Sequence, residues 1–310
     1  MLVLAGLVAY YGVSIGASAA LLLVLGGAAV VFIAVLGHRP RPWDVAIFIV
    51  GILALGVVSA GYASGPQLVT YSGTRSQVHS NAISVAVTSD TGSVSVGFSN
   101  RISLAYQVNF STPGGLFFFG GPGANTVSNT TRNGVFNLKV GSTWSGVSVL
   151  LGRGYFLDIQ VTTSTGSIDL EAPGAETLQN VSLHSSTGSV NAVVDSSALT
   201  SLVLRADTGS VNLVSHHLGA AGSRVPITLS ASTGSVSMNL GLVSKDAVSL
   251  TASTSIGSIS QSLNGFSITQ NTRTNLAATA GSIGSAPNSF LITASSSLGS
   301  VDLTAGFVSG

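Results

Sequence analysis

The pattern of hydrophobic and polar positions divides the chain into two parts. In the first part the apolar residues form long uninterrupted runs at about 17–37 and 45–63, and each run approaches the twenty residues that a helix needs to cross a bilayer. Arg39 and Arg41 lie between the two runs, and basic residues favour the cytoplasmic side. The pattern predicts a transmembrane helical region at 1–63, built as a hairpin whose short loop is cytoplasmic.

The role of residues 2–16 is ambiguous at this stage. The uncharged stretch that begins at Leu2 is too long for one upright helix and rather short for two, so these residues either extend a tilted helix or lie in the interface. A cleaved signal peptide is the alternative for the first run. No basic residue precedes that run, and its apolar length exceeds an ordinary signal-peptide core. We therefore expect a permanent anchor in the lipid bilayer.

After a predicted linker at 64–79, apolar and polar residues alternate with the period of β-strands, and a glycine motif recurs. Successive glycines from Gly166 onward are 18 to 25 residues apart, which is typical of a solenoid. The repeat predicts an all-β fold at 80–310, a parallel β-solenoid of roughly 20 to 25 residue coils with two strands and two turns each. Clear copies lie at Gly92, Gly166, Gly188, Gly209 and Gly234, and looser copies at Gly257, Gly281 and Gly299.

Each glycine is expected at a sharp corner, where a β-carbon would obstruct the chain. The Val, Ile or Leu residues after the corner would then form an inward ladder, and the Ser and Thr residues outward ones. About ten such coils would make a rod roughly 50 Å long, because stacked strands lie about 4.8 Å apart. A divergent stretch at about 110–155 has no clean copy of the motif, so it holds either degenerate coils or an insertion.

The T-G-S-[VI] corner followed by alternating strands is clearest from Gly166 to Gly234. It resembles the putative-adhesin β-strand-repeat family of bacterial and archaeal envelope proteins, and the resemblance covers roughly Ser80 to Gly310. The resemblance implies a β-solenoid at or near the cell envelope, in proteins that often carry membrane helices. It brings no catalytic residue with it.

Charge and cysteine content exclude several classes of function. The 310 residues include only 7% charged side chains, and the formal net charge is +1, so nothing attracts nucleic acid. The sequence has no cysteine, which excludes disulfides, thiolate zinc sites and cysteine nucleophiles. We expect no nucleic acid partner.

Two copies of Asp-Thr-Gly-Ser, at Asp90 and Asp207, match the motif that supplies the paired carboxylates of aspartic proteases. Serine or threonine replaces the aspartate in the other copies, for example at Ser164 and Ser186. Corners on one face of a solenoid are stacked along its axis, so the two carboxylates would lie several coils apart and could not share a proton. We therefore predict corner residues, no catalytic residues and no enzyme.

Candidate metal ligands are few. Adjacent histidines on a strand point to opposite faces, and a zinc site needs three or four converging ligands. An acidic trio lacks the dense spacing of calcium loops. We expect neither a metal site nor a cofactor. The histidines are His38, His79, His184, His216 and His217, and the trio is Asp169, Glu171 and Glu176.

Two further features stay open. Phe117–Phe119 lie in a glycine-rich tract and cannot all point inward, so they either cover the solenoid or form an exposed patch for a partner or membrane. Asn109, Asn129 and Asn180 begin Asn-x-Ser/Thr sequons, which matter only in a host that glycosylates.

These features together predict a membrane-anchored, surface-displayed protein with an extracytoplasmic solenoid that is an adhesin-like or envelope-scaffold binding module. Its expected partners are the lipid bilayer, an envelope glycan or surface protein, and further copies of itself. The alternative is an envelope-stress sensor or regulator. It would have to work through a membrane partner, because the short cytoplasmic loop offers little material for signalling.

Overall fold

The computed structural model describes residues 67–112, 124–220, 224–243, 246–281, 286 and 289–308. These residues form strands and turns without any helix, so the all-β prediction is confirmed for this part of the chain. None of them forms a helix with the length and hydropathy needed to span a membrane. The predicted helices at 17–37 and 45–63, the ambiguous segment 2–16, and Phe117–Phe119 lie outside the described residues.

Twenty strands form the described fold, and residues 68–111 and 123–310 belong to one compact unit. Their bounds are β1 (Gln67–Thr74), β2 (Ala82–Thr91), β3 (Val94–Ser99), β4 (Leu104–Thr112), β5 (Thr126–Arg132), β6 (Val135–Ser142), β7 (Gly146–Gly152), β8 (Phe156–Thr165), β9 (Ile168–Thr187), β10 (Val190–Leu199), β11 (Ser201–Thr208), β12 (Val211–Ala220), β13 (Val225–Thr233), β14 (Val236–Val243), β15 (Ala247–Ile256), β16 (Ile259–Leu263), β17 (Ser267–Asn271), β18 (Asn275–Ala280), β19 (Ser289–Leu298) and β20 (Val301–Val308).

The strands make two sheets that share the long strand β9. Sheet 1 has the order β5-β6-β2-β8-β9-β11-β13-β19-β15-β18-β17. Sheet 2 has the order β1-β4-β7-β3-β9-β10-β12-β14-β20-β16. The middle of each sheet is parallel, whereas β4, β5, β17 and β18 pair antiparallel near the ends. Both sheets are therefore mixed.

Successive coils consist of a strand in sheet 1, a corner and a strand in sheet 2. The residue two positions after each corner glycine points inward and pairs with its equivalent in the next coil, as Val190 does with Ile168 and Val211. This ladder is fully buried from Val94 through Ile168, Val190, Val211 and Val236 to Val301. The predicted inward ladder is confirmed, and burial of these branched side chains is the main source of stability.

Seven of the predicted corner glycines lie in one column. Each of these seven glycines has a positive φ, and a β-carbon on it would collide with the backbone carbonyl of the neighbouring corner. At Gly188, for example, φ is 140° and the oxygen of Gly166 lies 2.2 Å from the β-carbon position. Only glycine avoids both problems. The column runs Gly92, Gly166, Gly188, Gly209, Gly234, Gly299 and Gly257.

The serine after each glycine explains the rest of the motif. The Oγ atom of Ser167 accepts a hydrogen bond from the backbone N–H of Ser189 at 3.2 Å, and Ser189 accepts one from Ser210 at 3.3 Å. Three positions before the glycine, a buried hydroxyl donates to a corner carbonyl: Ser185 donates to Gly166 at 2.8 Å. The tight corner therefore leaves few backbone groups unpaired, which burial requires.

Two predictions about the repeat are corrected. Gly281 is not a corner, because it follows strand β18, which runs antiparallel to β15, and its φ of 67° differs from those of the column. The described residues contain eight coils rather than about ten, so the eight stacked corners span about 34 Å at about 4.8 Å per step.

One of the eight coils, formed by β6 and β7, lies in the divergent stretch together with antiparallel strands. Its corner lies at Ser142–Gly146 and places the carbonyl of Ser145 against Gly92, 2.4 Å from the β-carbon position. Within the described residues no other corner is stacked beyond Ser145, so this corner does not need glycine. Strand β1 lies inside the range 64–79 that was predicted to be a linker.

Candidate functional site

The outer face of sheet 2 carries a continuous ladder of polar side chains, one position after the buried ladder. Neighbouring rungs are in parallel register, about 4.8 Å apart. All are half-buried or exposed, and the amide Nδ2 of Asn191 donates to Oδ1 of Asp169 at 2.7 Å. The rungs, called the polar ladder, are Ser148, Ser95, Asp169, Asn191, Asn212, Ser237, Asp302 and Ser260.

Sheet 1 carries a charged cluster beside one corner. His184 and Arg205 occupy paired positions in β9 and β11, and both reach Asp207. The His184 Nε2 atom lies 3.2 Å from one carboxylate oxygen, and Arg205 Nε donates to the other at 3.0 Å. The hydrogen bond with His184 is the largest cause that lowers the pKa of Asp207, and the hydrogen bond from Arg205 is the next. The cluster is about one third exposed, so its contribution to stability is screened by water.

A second acidic residue, Asp195, organises an irregularity in β12. Its Oδ1 atom accepts hydrogen bonds from the backbone N–H groups of His216 at 2.7 Å and His217 at 3.2 Å, and from the hydroxyl of Ser215 at 3.2 Å. The register between β10 and β12 shifts at this place. The Asp195 carboxylate therefore pairs backbone groups that the shifted ladder leaves free.

The structure keeps the two aspartates of the repeated motif apart. The Gly92 and Gly209 corners are separated in the column by those of Gly166 and Gly188, which is about 14 Å along the stack. Asp90 is exposed, and its side chain makes no hydrogen bond or ion pair within the described residues. A shared proton needs carboxylates in contact, so this pair does not form a protease dyad.

The candidate metal ligands are also dispersed. Within the described part of the chain, no group of three or more histidine or acidic residues is placed to hold a metal ion. Asp169 bonds to Asn191, and His79 is exposed. His38 and the side chain of Glu176 lie outside the described residues.

Two of the three sequon asparagines use the amide nitrogen that would carry a glycan. Asn129 donates to the hydroxyl of Tyr106 at 3.0 Å, and Asn180 donates to Asp158 at 2.7 Å. The Asn109 amide oxygen accepts from Thr70 at 2.9 Å. Attachment of a glycan at Asn129 or Asn180 would replace one of the two hydrogens of the amide nitrogen and leave one N–H to donate.

Sheet 2 carries a groove near the last four coils of the stack, and no motif in the sequence indicates it. It has a volume of about 360 Å³, and Asn239, Asn264 and Phe307 are among the residues that line it. Gly241 and Gly306 are paired in the parallel register of β14 and β20 and also line it. The two glycines at equivalent positions of neighbouring coils are the sequence feature that could have indicated the groove. The sequence does not show, however, that these two coils are neighbours.

Comparison with known proteins concerns the fold. The chain is similar to the solved structure of a putative cell adhesion protein from Clostridium sporogenes, with a TM-score of 0.50 and 9% identity over 78% of this chain and 100% of that one. A putative adhesin from Bacteroides fragilis has a TM-score of 0.31 and 8% identity, over 76% of this chain and 96% of that one. No protein-family model and no curated protein matches the sequence. The Clostridium similarity shows a shared fold.

Proposed function

We propose that the chain is a membrane-anchored, surface-displayed β-solenoid that acts as an adhesin-like or envelope-scaffold binding module. The observation that carries this proposal is the polar ladder, which runs without interruption across eight strands in parallel register. The Clostridium neighbour is described as a cell adhesion protein, which agrees with the family that the repeat resembles.

The proposed mechanism is multivalent contact. Equivalent hydroxyl and amide groups repeat at about 4.8 Å on a framework whose corners are held by backbone hydrogen bonds. Each contact is weak, but the first bound group brings the others to a high effective concentration. An envelope glycan, a surface protein or a second copy of the chain are the partners that such a ladder suits. Catalysis is not part of the proposal.

The proposed location rests on the sequence. The apolar runs at 17–37 and 45–63 anchor the chain, and Arg39 and Arg41 favour a cytoplasmic loop, which leaves the solenoid outside. The location is tested by protease treatment of intact and opened cells that carry a tag after Gly310. Cleavage in intact cells supports surface display. Protection until the cells are opened contradicts it and favours an internal scaffold or a stress regulator.

The function is tested by comparing cells that express the full chain with cells that express only residues 1–79. We expect the shorter chain to lose surface attachment or recovery of envelope partners. A variant with Asn191→Ala and Asn212→Ala tests the polar ladder, and Ser182→Ala with Thr228→Ala, on the outer face of sheet 1, is the matched control. Unchanged attachment and partner recovery in the shorter chain would overturn the proposal.

A further inference from the structure

The groove near the last four coils of sheet 2 has the dimensions of a ligand site. Its volume of about 360 Å³ lies within the range of roughly 300–1,000 Å³ that ligand pockets occupy. Strands β12, β14, β20 and β16 each contribute to it, and neighbouring strands pair in parallel register. The groove therefore lies on a rigid part of the stack.

Apart from His216, whose Nδ1 atom lies 3.5 Å from the Asp195 carboxylate, the polar side chains that line the groove are amides and hydroxyls. Its lining includes the amides of Asn239 and Asn264 and the hydroxyls of Ser262 and Thr304, and no Asp, Glu, Lys or Arg is among the described residues that line it. These four residues are exposed, and within the described part of the chain their side chains make no hydrogen bond. The groove thus offers donors and acceptors to a ligand without a charge.

One aromatic ring supplies an apolar surface beside these groups. Phe307 lines the groove, and its ring stacks on that of Phe266 with centroids 5.9 Å apart and an angle of 23° between the planes. Gly241 and Gly306 add no side chain, so a ligand can approach the backbone of both strands. The Phe307 ring is partly buried and packed against the hydrophobic core, so it loses little rotamer entropy when a ligand contacts it.

Neutral amides and hydroxyls, one aromatic ring and exposed backbone together fit a ligand that has many hydroxyl groups and apolar C–H faces. The described lining has no Asp, Glu, Lys or Arg to pair with a charged ligand, and its one histidine, His216, already faces the Asp195 carboxylate, so burying a charged ligand here would be costly. We propose that this groove binds a neutral oligosaccharide. The inference rests on the proposed binding function and deepens it, because it names the class of partner and the place on the stack where that partner binds.

The test is a calorimetric titration of the purified full chain, held in a detergent that has no sugar headgroup. The probes are cellotetraose and tetra-N-acetylchitotetraose, both uncharged, and a hyaluronan tetrasaccharide as the charged comparison. We expect saturable binding of at least one uncharged probe and weaker binding of the charged one. Asn239→Ala and Asn264→Ala should each weaken binding roughly 3- to 10-fold, the loss expected for one hydrogen bond.

The matched control is Asn271→Ala, which removes an exposed amide from strand β17 of sheet 1, outside both the groove and the polar ladder. It should change binding less than twofold. Phe307→Leu keeps an apolar side chain but removes the ring, and unfolding measurements on each variant separate lost binding from lost folding. The inference is overturned if neither uncharged probe binds, or if both asparagine variants bind as the unaltered chain does.

Cell attachment separates this inference from the proposed function. If attachment requires residues 80–310 while the purified chain binds neither uncharged probe, the groove inference is wrong and the binding function stands. If the chain binds an uncharged probe through Asn239 and Asn264 but attachment and partner recovery do not need residues 80–310, the groove stands as a sugar site and the adhesin-like function is wrong.

Discussion

The carbonyl oxygen of Gly188 lies 2.3 Å from the point that a β-carbon on Gly209 would occupy. No side chain can bend away from this contact, since the colliding atom belongs to the backbone of the next coil. The φ of Gly209 is 138°, a conformation that other residues rarely adopt. The close stacking of the corners in this column therefore requires glycine, which has no β-carbon.

Gly209→Ala should lower the free energy of unfolding by at least about 2 kcal/mol, because backbone strain of this kind costs roughly 1–3 kcal/mol before the collision is added. Denaturant unfolding measures it. Gly97→Ala is the matched control, because its β-carbon would meet only Leu150 Cδ2 at 3.5 Å and its φ is not positive. Equal losses in the two variants would contradict the role of the column.

Ser185→Ala should cost about 0.5–1.5 kcal/mol of unfolding free energy, the usual net value of one hydrogen bond. The buried hydroxyl of Ser185 donates to the carbonyl of Gly166 at 2.8 Å. Ser182→Ala removes an exposed hydroxyl from the same strand and should change stability by less than about 0.5 kcal/mol. A loss at Ser182 as large as that at Ser185 would show that burial of the hydroxyl is unimportant.

Asp207 should give the fold an acid-dependent contribution to stability. Its folded pKa is below the ordinary value of 3.8, chiefly because of His184 and then Arg205. A lowered pKa means that the contribution is fully present above pH values near 3.8 and disappears as the pH falls through the folded value. Unfolding free energies from pH 7 to pH 2 should therefore converge for the unaltered chain and Asp207→Asn at the acid end.

The control for this titration is Asp90→Asn, which removes the carboxylate at the equivalent corner position, where no hydrogen bond or ion pair is present among the described residues. A difference between Asp207→Asn and the unaltered chain that stays constant from pH 7 to pH 2 would contradict the ion-pair explanation.

Asn191→Asp should destabilise the polar ladder, because it puts two carboxylates on adjacent rungs and removes the amide that donates to Asp169. Like charges opposite each other cost roughly 0.2–1 kcal/mol, and high salt or low pH should restore part of the loss. Asn212→Asp has Asn191 and Ser237 as its neighbours and should cost less. If neither high salt nor low pH reduces the loss of stability in Asn191→Asp, the loss comes from the missing amide and not from repulsion between the carboxylates.

Local chemistry made most corners predictable. A four-residue motif predicts Gly166, Gly188 and Gly209 as corners, because only glycine fits a backbone position that excludes a β-carbon. The same motif was misleading at Gly281, since a glycine before serine also suits the end of an antiparallel strand. The Ser145 corner was missed because the outermost coil has no preceding carbonyl to avoid.

The site depends on relations that a single sequence does not contain. The polar ladder follows from the repeat, so its outward hydroxyls were expected. The contact between Phe266 and Phe307 depends on the coil β19–β20 lying beside β15–β16, and the pairing of Gly241 with Gly306 depends on that coil lying beside β13–β14. That neighbour relation skips about 45 residues of chain, and neither spacing nor composition indicates it.

The position of β19 between β13 and β15 also determines when the stack can be completed during synthesis. Strand β15 pairs with a strand that emerges from the ribosome about 40 residues later, which takes roughly 2 to 8 s at 5–20 residues per second. Until then β15 lacks its parallel partner, and β13 presents an open edge to any other strand nearby. The last two coils of the described fold are therefore completed only when β19 pairs with both β13 and β15, and the strand edges that face β19 stay unpaired for that time.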